Sequence, residues 1–181
     1  MPMNFVFPCM EYEEKAIAFI KEFNDYSSEI NGSGGLDSYL AHSTYADWLV
    51  KIMKDIDIAN ILDGRVPQFV YYYVNEENDR IIGMIAIRTG LNDFLRKEGG
   101  HIGYCIRPTE RRKGHGTRML REALSFCHWI GLHDIIISCD KDNVASAGII
   151  KNCGGILDTE FYSDFFKATV QRYHVSVPHA E

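Results

Sequence analysis

Between residues 107 and 121 the chain concentrates six basic side chains (Arg107, Arg111, Arg112, Lys113, Arg118 and Arg121) against a single acid, Glu110. Two glycines one residue apart, Gly114 and Gly116, fall inside this stretch, and an amphipathic run follows at once. A loop that opens into a helix leaves backbone N–H groups pointing outward at the positive end of the helix dipole, which is a site for phosphate. The glycines let the backbone approach such an anion, because a side chain would stand in the way. The chemistry indicated is the binding of a polyphosphate. Gly-x-x-x-x-Gly-Lys-Ser/Thr is absent, and Gly-x-Gly-x-x-Gly fails because Met119 stands where the third glycine belongs. The pattern that fits is Arg111-x-x-Gly114-x-Gly116.

Other reactive side chains are few. His101 has an imidazole, whose ordinary pKa of about 6.5 suits it to moving a proton near neutrality. Cys105 falls on the same strand and face, a pairing that would suit a thiolate nucleophile. No orienting Asp or Asn accompanies it, and a small buried cysteine is the simpler reading. The five cysteines (Cys9, Cys105, Cys127, Cys139, Cys153) contain no Cys-x-x-Cys pair, which points to reduced thiols in a cytoplasmic protein. His128, His133, Cys127 and Cys139 lack metal-ligand spacing, so no metal is expected.

The elements that position these residues follow from periodicity. Asn4 to Phe7 reads as a strand and Glu11 to Phe23 as a helix with Tyr12, Ala16, Phe19, Ile20 and Phe23 inward. Asn31 to Gly35 reads as a flexible loop. Ala41, Tyr45, Trp48, Leu49, Ile52 and Ile56 share one face of a second helix that Asp63, Gly64 and Pro67 close. Phe69 to Val74 and Arg80 to Arg88 form an antiparallel hairpin. Leu91 to Lys97 reads as a helical turn. His101 to Ile106 is a strand before Pro108, and the helix after Gly116 buries Leu120, Ala123, Leu124, Cys127 and Ile130. Ile135 to Cys139 is a strand apolar enough to be buried on both faces. A helix capped by Asp142 or Asn143 and two strands, Ile156 to Tyr162 and Ala168 to Val177, complete a mixed α/β domain.

With 181 residues, at roughly 150 per domain, one domain over 1–181 is expected. Its 46% hydrophobic and 24% charged residues are ordinary for a globular protein and exclude disorder. The net charge of −6 argues against coating nucleic acid, and no apolar run suits a membrane span or export signal. That charge divides unevenly: residues 107–121 carry +5 and the remainder −11. One anionic ligand at one loop is compatible with an acidic protein.

The Arg-x-x-Gly-x-Gly pattern resembles the pyrophosphate loop of the GNAT superfamily of acyl-coenzyme A N-acyltransferases. The resemblance extends to Ile102-Gly103-Tyr104-Cys105-Ile106-Arg107-Pro108 before the loop, the helix after it, the strand Ile135 to Cys139, and Asn143. Leu91-Asn92-Asp93, Gly99 to Tyr104 and Cys139 to Asn143 are similar to a subgroup of predicted bacterial acetyltransferases. The resemblance implies a mostly antiparallel sheet splayed between its fourth and fifth strands and flanked by helices. It also implies acetyl-coenzyme A as co-substrate and an amine of a small molecule or peptide as acceptor, and it allows a homodimer.

It further implies roles for residues. Backbone groups of Tyr104, Cys105 and Ile106 pair with the pantetheine arm. Arg111, Arg112, Lys113, Gly114, His115, Gly116 and Thr117 hold the pyrophosphate, and Asn143 bonds the arm near the thioester. His101 stands where many relatives carry a Glu and is the expected base. Ile150 stands where the family's usual acid is a Tyr, and Tyr104, Tyr162 or Tyr173 are the substitutes. The missing Tyr also favours a second reading, a catalytically silent acyl-coenzyme A-binding regulatory module.

Overall fold

The computed structural model describes residues 2–60 and 64–177, so Asp63 lies outside the described residues. Contacts divide the chain into two compact units, residues 1–87 with 103–115 and residues 88–102 with 116–181.

The first unit contains most of a four-stranded sheet, β1 (Met3–Val6), β2 (Gln68–Asn75), β3 (Arg80–Arg88) and β4 (Ile102–Ile106), in the order β1-β2-β3-β4. β1 runs antiparallel to β2, with Met3 opposite Asn75 and Val6 opposite Tyr72. Three helices accompany it: α1 (Glu13–Asp25), α2 (Leu36–His42) and α3 (Tyr45–Lys54). α1 buries Ala16, Phe19, Ile20 and Phe23, residues three and four apart, and a 3-10 turn over Met10–Tyr12 precedes it. The core joins these residues to Tyr45, Trp48, Ile52, Val70, Tyr72, Met84 and Cys105. Fully burying each large apolar side chain is worth about 1.5–3 kcal/mol.

The single helix expected from Ala41 to Ile56 is two helices. Thr44 breaks it: its backbone is extended, its Oγ1 accepts the Asp47 N–H, and the Asp47 carboxylate accepts the Thr44 N–H at 3.2 Å. This capping box starts a helix as firmly as apolar spacing continues one, and periodicity across residue 44 hides it.

The second unit contains a short π-type turn (Leu95–Gly99), α4 (His115–Trp129, whose first residue belongs to the first unit), β5 (Asp134–Asp140), α5 (Val144–Asn152), β6 (Ile156–Ser163) and β7 (Ala168–Ser176). Its three-stranded antiparallel sheet has the order β5-β7-β6, with Asp134 opposite Ser176 and Asp140 opposite Val170. α5 packs on β5 and β7. β4 therefore ends one hydrogen-bonded sheet and β5 belongs to the other, with antiparallel pairing and flanking helices as expected. Ile135, Ile136 and Ile137 are all buried, in keeping with the unbroken apolar run in the sequence.

The π-type turn packs against β5 and ends at Gly100, which forms an isolated antiparallel bridge with Ile137. Gly100 has φ 73° and ψ −171°, a region that only glycine adopts readily, and a Cβ there would run into the Ile136 carbonyl. Gly100→Ala is therefore expected to lower the unfolding free energy by about 1–3 kcal/mol from the backbone alone, read in a urea titration. Wild-type stability in that variant would contradict the bridge.

Candidate active site

The basic loop is held from beneath by a carboxylate on α1. Glu22 accepts hydrogen bonds from the Thr109 N–H (3.0 Å), the Thr109 hydroxyl (2.8 Å) and the Arg107 guanidinium (2.8 Å). Arg107 is only 6% exposed; its Nε donates to the Ile81 carbonyl, and it lies over the Phe19 ring. Burial alone would raise the Glu22 carboxyl, but bonds from Thr109 and the Arg107 charge outweigh it and hold the pKa below the usual glutamate value. The next carboxylate, Glu110, pairs with Arg80 at 2.7 Å and Lys113 at 2.8 Å, with the His115 ring at 3.9 Å. Its pKa is also lowered: burial is opposed by Lys113, Arg80 and His115. Thus a short turn, Pro108–Glu110, is tied down at two carboxylates just before the residues expected to hold an anion. Apolar patterning marks neither carboxylate, because the contacts of Glu22 with Thr109 and Arg107 and of Glu110 with Arg80 join residues far apart in sequence.

The loop residues take different places. The Arg111 guanidinium turns back onto its own unit, where it donates to the Ile106 carbonyl and the Ser28 hydroxyl and lies 5.5 Å from the Phe23 ring centre. It shapes the loop. Arg112 and Lys113 are exposed, and Arg112 has a left-handed backbone, φ 61°. Gly114 is exposed with open space around it. His115 and Gly116 open α4, and the Thr117 carbonyl accepts the Cys153 thiol at 3.5 Å. Arg118 and Arg121 lie on the solvated helix face, bonded to Glu122 and the Asn152 carbonyl.

On β4, Tyr104 is partly exposed and Cys105 and Ile106 are buried. Burial pushes the Cys105 thiol up to about 12, and its sulfur accepts N–H groups of Met84 and Asn31, so it is no nucleophile at neutral pH. The segment Asn31 to Gly35, expected to be flexible, is packed. A Cβ on Gly32 would strike the Gly103 carbonyl, Ser33 is buried, and the Gly34 carbonyl accepts from Trp48 Nε1 (3.2 Å) and Lys51 Nζ (3.0 Å). Small residues serve close backbone approach as well as flexibility, and sequence alone does not separate the two.

In the second unit, His101 is 7% exposed, and its Nδ1 accepts the Ile136 N–H at 2.9 Å. Asn143 caps α5 through Oδ1, which accepts the Ser146 N–H at 3.0 Å, and the side chain is exposed. Ile150 is fully buried. Of the tyrosines named above, Tyr173 is buried with its hydroxyl donated to Gln171 at 2.7 Å, whereas Tyr162 is 60% exposed. Among the described residues, no three His, Cys, Asp or Glu side chains gather as a metal site, and no helix is long and apolar enough to cross a membrane.

The model of the acetyltransferase (GNAT) domain family matches residues 38–156. A search of curated proteins finds no match. Among solved structures, the microcin C7 self-immunity acetyltransferase MccE in complex with acetyl-CoA and AMP superposes with a TM-score of 0.69 at 16% identity, over 97% of this chain and 92% of that one. A spermidine N-acetyltransferase SpeG chimera from Vibrio cholerae gives 0.67 at 15% identity, over 97% and 96%. RimL, a ribosomal L7/L12 alpha-N-protein acetyltransferase bound to coenzyme A, gives 0.69 at 12%, over 97% and 94%.

The support beneath the loop has a measurable signature. Because the Glu22 carboxyl is held low in the folded state, its contribution is present above the ordinary glutamate pKa and disappears as pH falls through the folded value. Glu22→Gln should cost about 1–3 kcal/mol of unfolding free energy at pH 7 and flatten the loss of stability on acidification below about pH 4.5. An unchanged acid limb in the unfolding profile would show that Glu22 is not the anchor.

Proposed function

The chain belongs to the GNAT family of acetyltransferases, and we propose that it moves an acetyl group from acetyl-CoA to a primary amine of a small molecule or peptide by direct attack in a ternary complex. Membership makes the protein an acyltransferase whose co-substrate is acetyl-CoA. The single observation that carries the reading is the loop 111–116, which leaves β4, is tied to Glu22 and Glu110, and opens α4 with a glycine in open space and exposed Arg112 and Lys113. The first N–H groups of α4 have no carbonyl partner within the helix, so the residues present suit a pyrophosphate. We read residues 1–181 as one acyltransferase domain, since the family match runs through both units. The five cysteines are all free thiols, as a cytoplasmic location would keep them.

In this reading the N–H groups from Arg112 to Thr117 bind the pyrophosphate, and Arg112 and Lys113 add charge. Arg111 acts by fixing the loop. Backbone groups of Tyr104, Cys105 and Ile106 pair with the pantetheine amides as an added strand would. Asn143 binds near the thioester through its amide nitrogen, the part of the side chain that its capping bond leaves over. When bound, acetyl-CoA supplies a thioester carbonyl open to attack by a neutral amine. A β4 backbone N–H stabilises the oxyanion, and the amine must give up a proton. The leaving thiolate, with an ordinary thiol pKa of about 8.5, is stable enough to be protonated by water. Ile150, buried at the family's Tyr position, favours the silent-module alternative.

Turnover decides between them, and binding tests the loop. Purified protein should release free thiol from acetyl-CoA in the presence of an amine panel; tight binding with no turnover across a broad panel would mean a silent module. The variant Arg112→Ala should weaken acetyl-CoA binding by roughly 10-fold, the worth of one charge-assisted bond, without lowering the melting temperature. Unchanged affinity would place the pyrophosphate elsewhere.

A further inference from the structure

We propose that His101 acts as a rung of the β5 ladder, its imidazole serving as a hydrogen-bond acceptor, and does not accept the proton of the amine. The observation is a double bond to one residue. The His101 N–H donates to the Ile136 carbonyl at 2.7 Å, and the Ile136 N–H donates back to His101 Nδ1 at 2.9 Å. In an antiparallel ladder a residue pair of this kind exchanges both backbone bonds, and the returning bond would end on the carbonyl of residue 101. That carbonyl is used otherwise: it accepts the Arg88 N–H at 2.8 Å. The imidazole nitrogen takes its place. One residue thereby holds Arg88 and β5 on opposite sides, and Gly100, whose carbonyl accepts from the Arg88 side chain at 2.9 Å, bridges Ile137 beside it.

The arrangement fixes the ring's protonation. An N–H donor can bond Nδ1 only through its lone pair, so the neutral ring carries its proton on Nε2. Neither nitrogen is then a ready base: Nε2 already holds a proton, and protonating Nδ1 would set two N–H groups against each other at a buried site. The alternative, Ile136 N–H unbonded in the interior, leaves a buried polar group without its partner. The charged groups around the ring agree. Burial lowers the His101 pKa most, and Arg88 and Arg96 lower it further, while Asp134, itself 2.9 Å from His174, and the Ile136 backbone work in the other direction. The net shift is downward, so the ring stays neutral and the rung intact above about pH 6.5, and both are lost as pH falls through the folded-state value.

His101 is thus a positioning residue: it acts through the pairing of Gly100 and His101 with Ile136 and Ile137, the residues that lead into β4. Only the catalytic consequence rests on the acetyltransferase reading. The bonding pattern can be tested without turnover, so failure of one is distinguishable from failure of the other.

The test combines a spectrum with two variants. Long-range nitrogen–proton NMR on the full chain at pH 7.5 should show His101 as the Nε2–H tautomer, with the Ile136 amide among the slowly exchanging ones. An Nδ1–H tautomer, or an Ile136 amide that exchanges as fast as exposed loop amides, overturns the proposal. His101→Asn places a carbonyl oxygen where Nδ1 lies, and His101→Ala removes the acceptor. With acetyl-CoA and an amine that turns over, the Asn variant should recover kcat to within about 5-fold of the wild type. Because general-base catalysis is worth about 10²–10⁴-fold, an Asn variant as slow as the Ala variant, both down by 100-fold or more, would restore His101 as the base. If no amine turns over, the tautomer and the Ile136 exchange rate, slow in the Asn variant and fast in the Ala variant, decide alone.

Discussion

The N-terminal N–H groups of α4 need an acceptor that the helix itself does not provide, and much of the surrounding structure holds in place the loop that leads into them. A loop with this much positive charge would move freely if only its own glycines shaped it. It is instead pinned at Thr109 by Glu22 and at Lys113 by Glu110, while Arg111 is drawn back onto Phe23 and Ser28. Pre-arranged donors gain most where they need not be reorganised when an anion arrives. Under the proposed function the acids near the loop support anion binding indirectly. They hold the chain that presents the N–H groups, and they leave Arg112 exposed.

The arginines of the motif divide along the same line. A motif treats Arg111 and Arg112 as adjacent basic residues; the fold bonds Arg111 back to Ile106 and Ser28 of its own unit and leaves Arg112 exposed. The same economy governs the histidine before β4. A buried imidazole at a strand start satisfies a backbone donor that would otherwise cost about 1–3 kcal/mol, and this use competes with acid–base chemistry for the same lone pair. Chemical suitability at neutral pH is a property of the free side chain, and the partner it bonds in the fold determines whether that suitability is available.

The sequence conveyed a good deal of this. The β2–β3 hairpin, the buried β5 run, and α4 with the glycine loop before it are local patterns, set by alternation, apolar runs and glycine spacing within a dozen residues, and each was legible. What escaped depends on long-range pairing. Thr44 looked like one more polar residue inside a helix until its bond with Asp47 split α2 from α3. Gly32 and its neighbours looked flexible because nothing local reveals a backbone pressed against Gly103. Glu22 and His101 gained their roles from partners 87 and 35 residues away, at Thr109 and Ile136, which no periodicity reaches. Ile150 was readable as a departure from the family's Tyr, and its complete burial shows that the position serves the core.

The central claim is that the backbone from Arg112 to Thr117 binds the pyrophosphate of the co-substrate. Titrating coenzyme A into isotope-labelled protein and following the backbone amide resonances tests it most directly. The account predicts that the amides of residues 112–117 shift most and shift downfield, as N–H groups do on meeting an anion, with affinity falling as salt rises. Saturable binding that leaves those six amides unmoved while shifting others would contradict it.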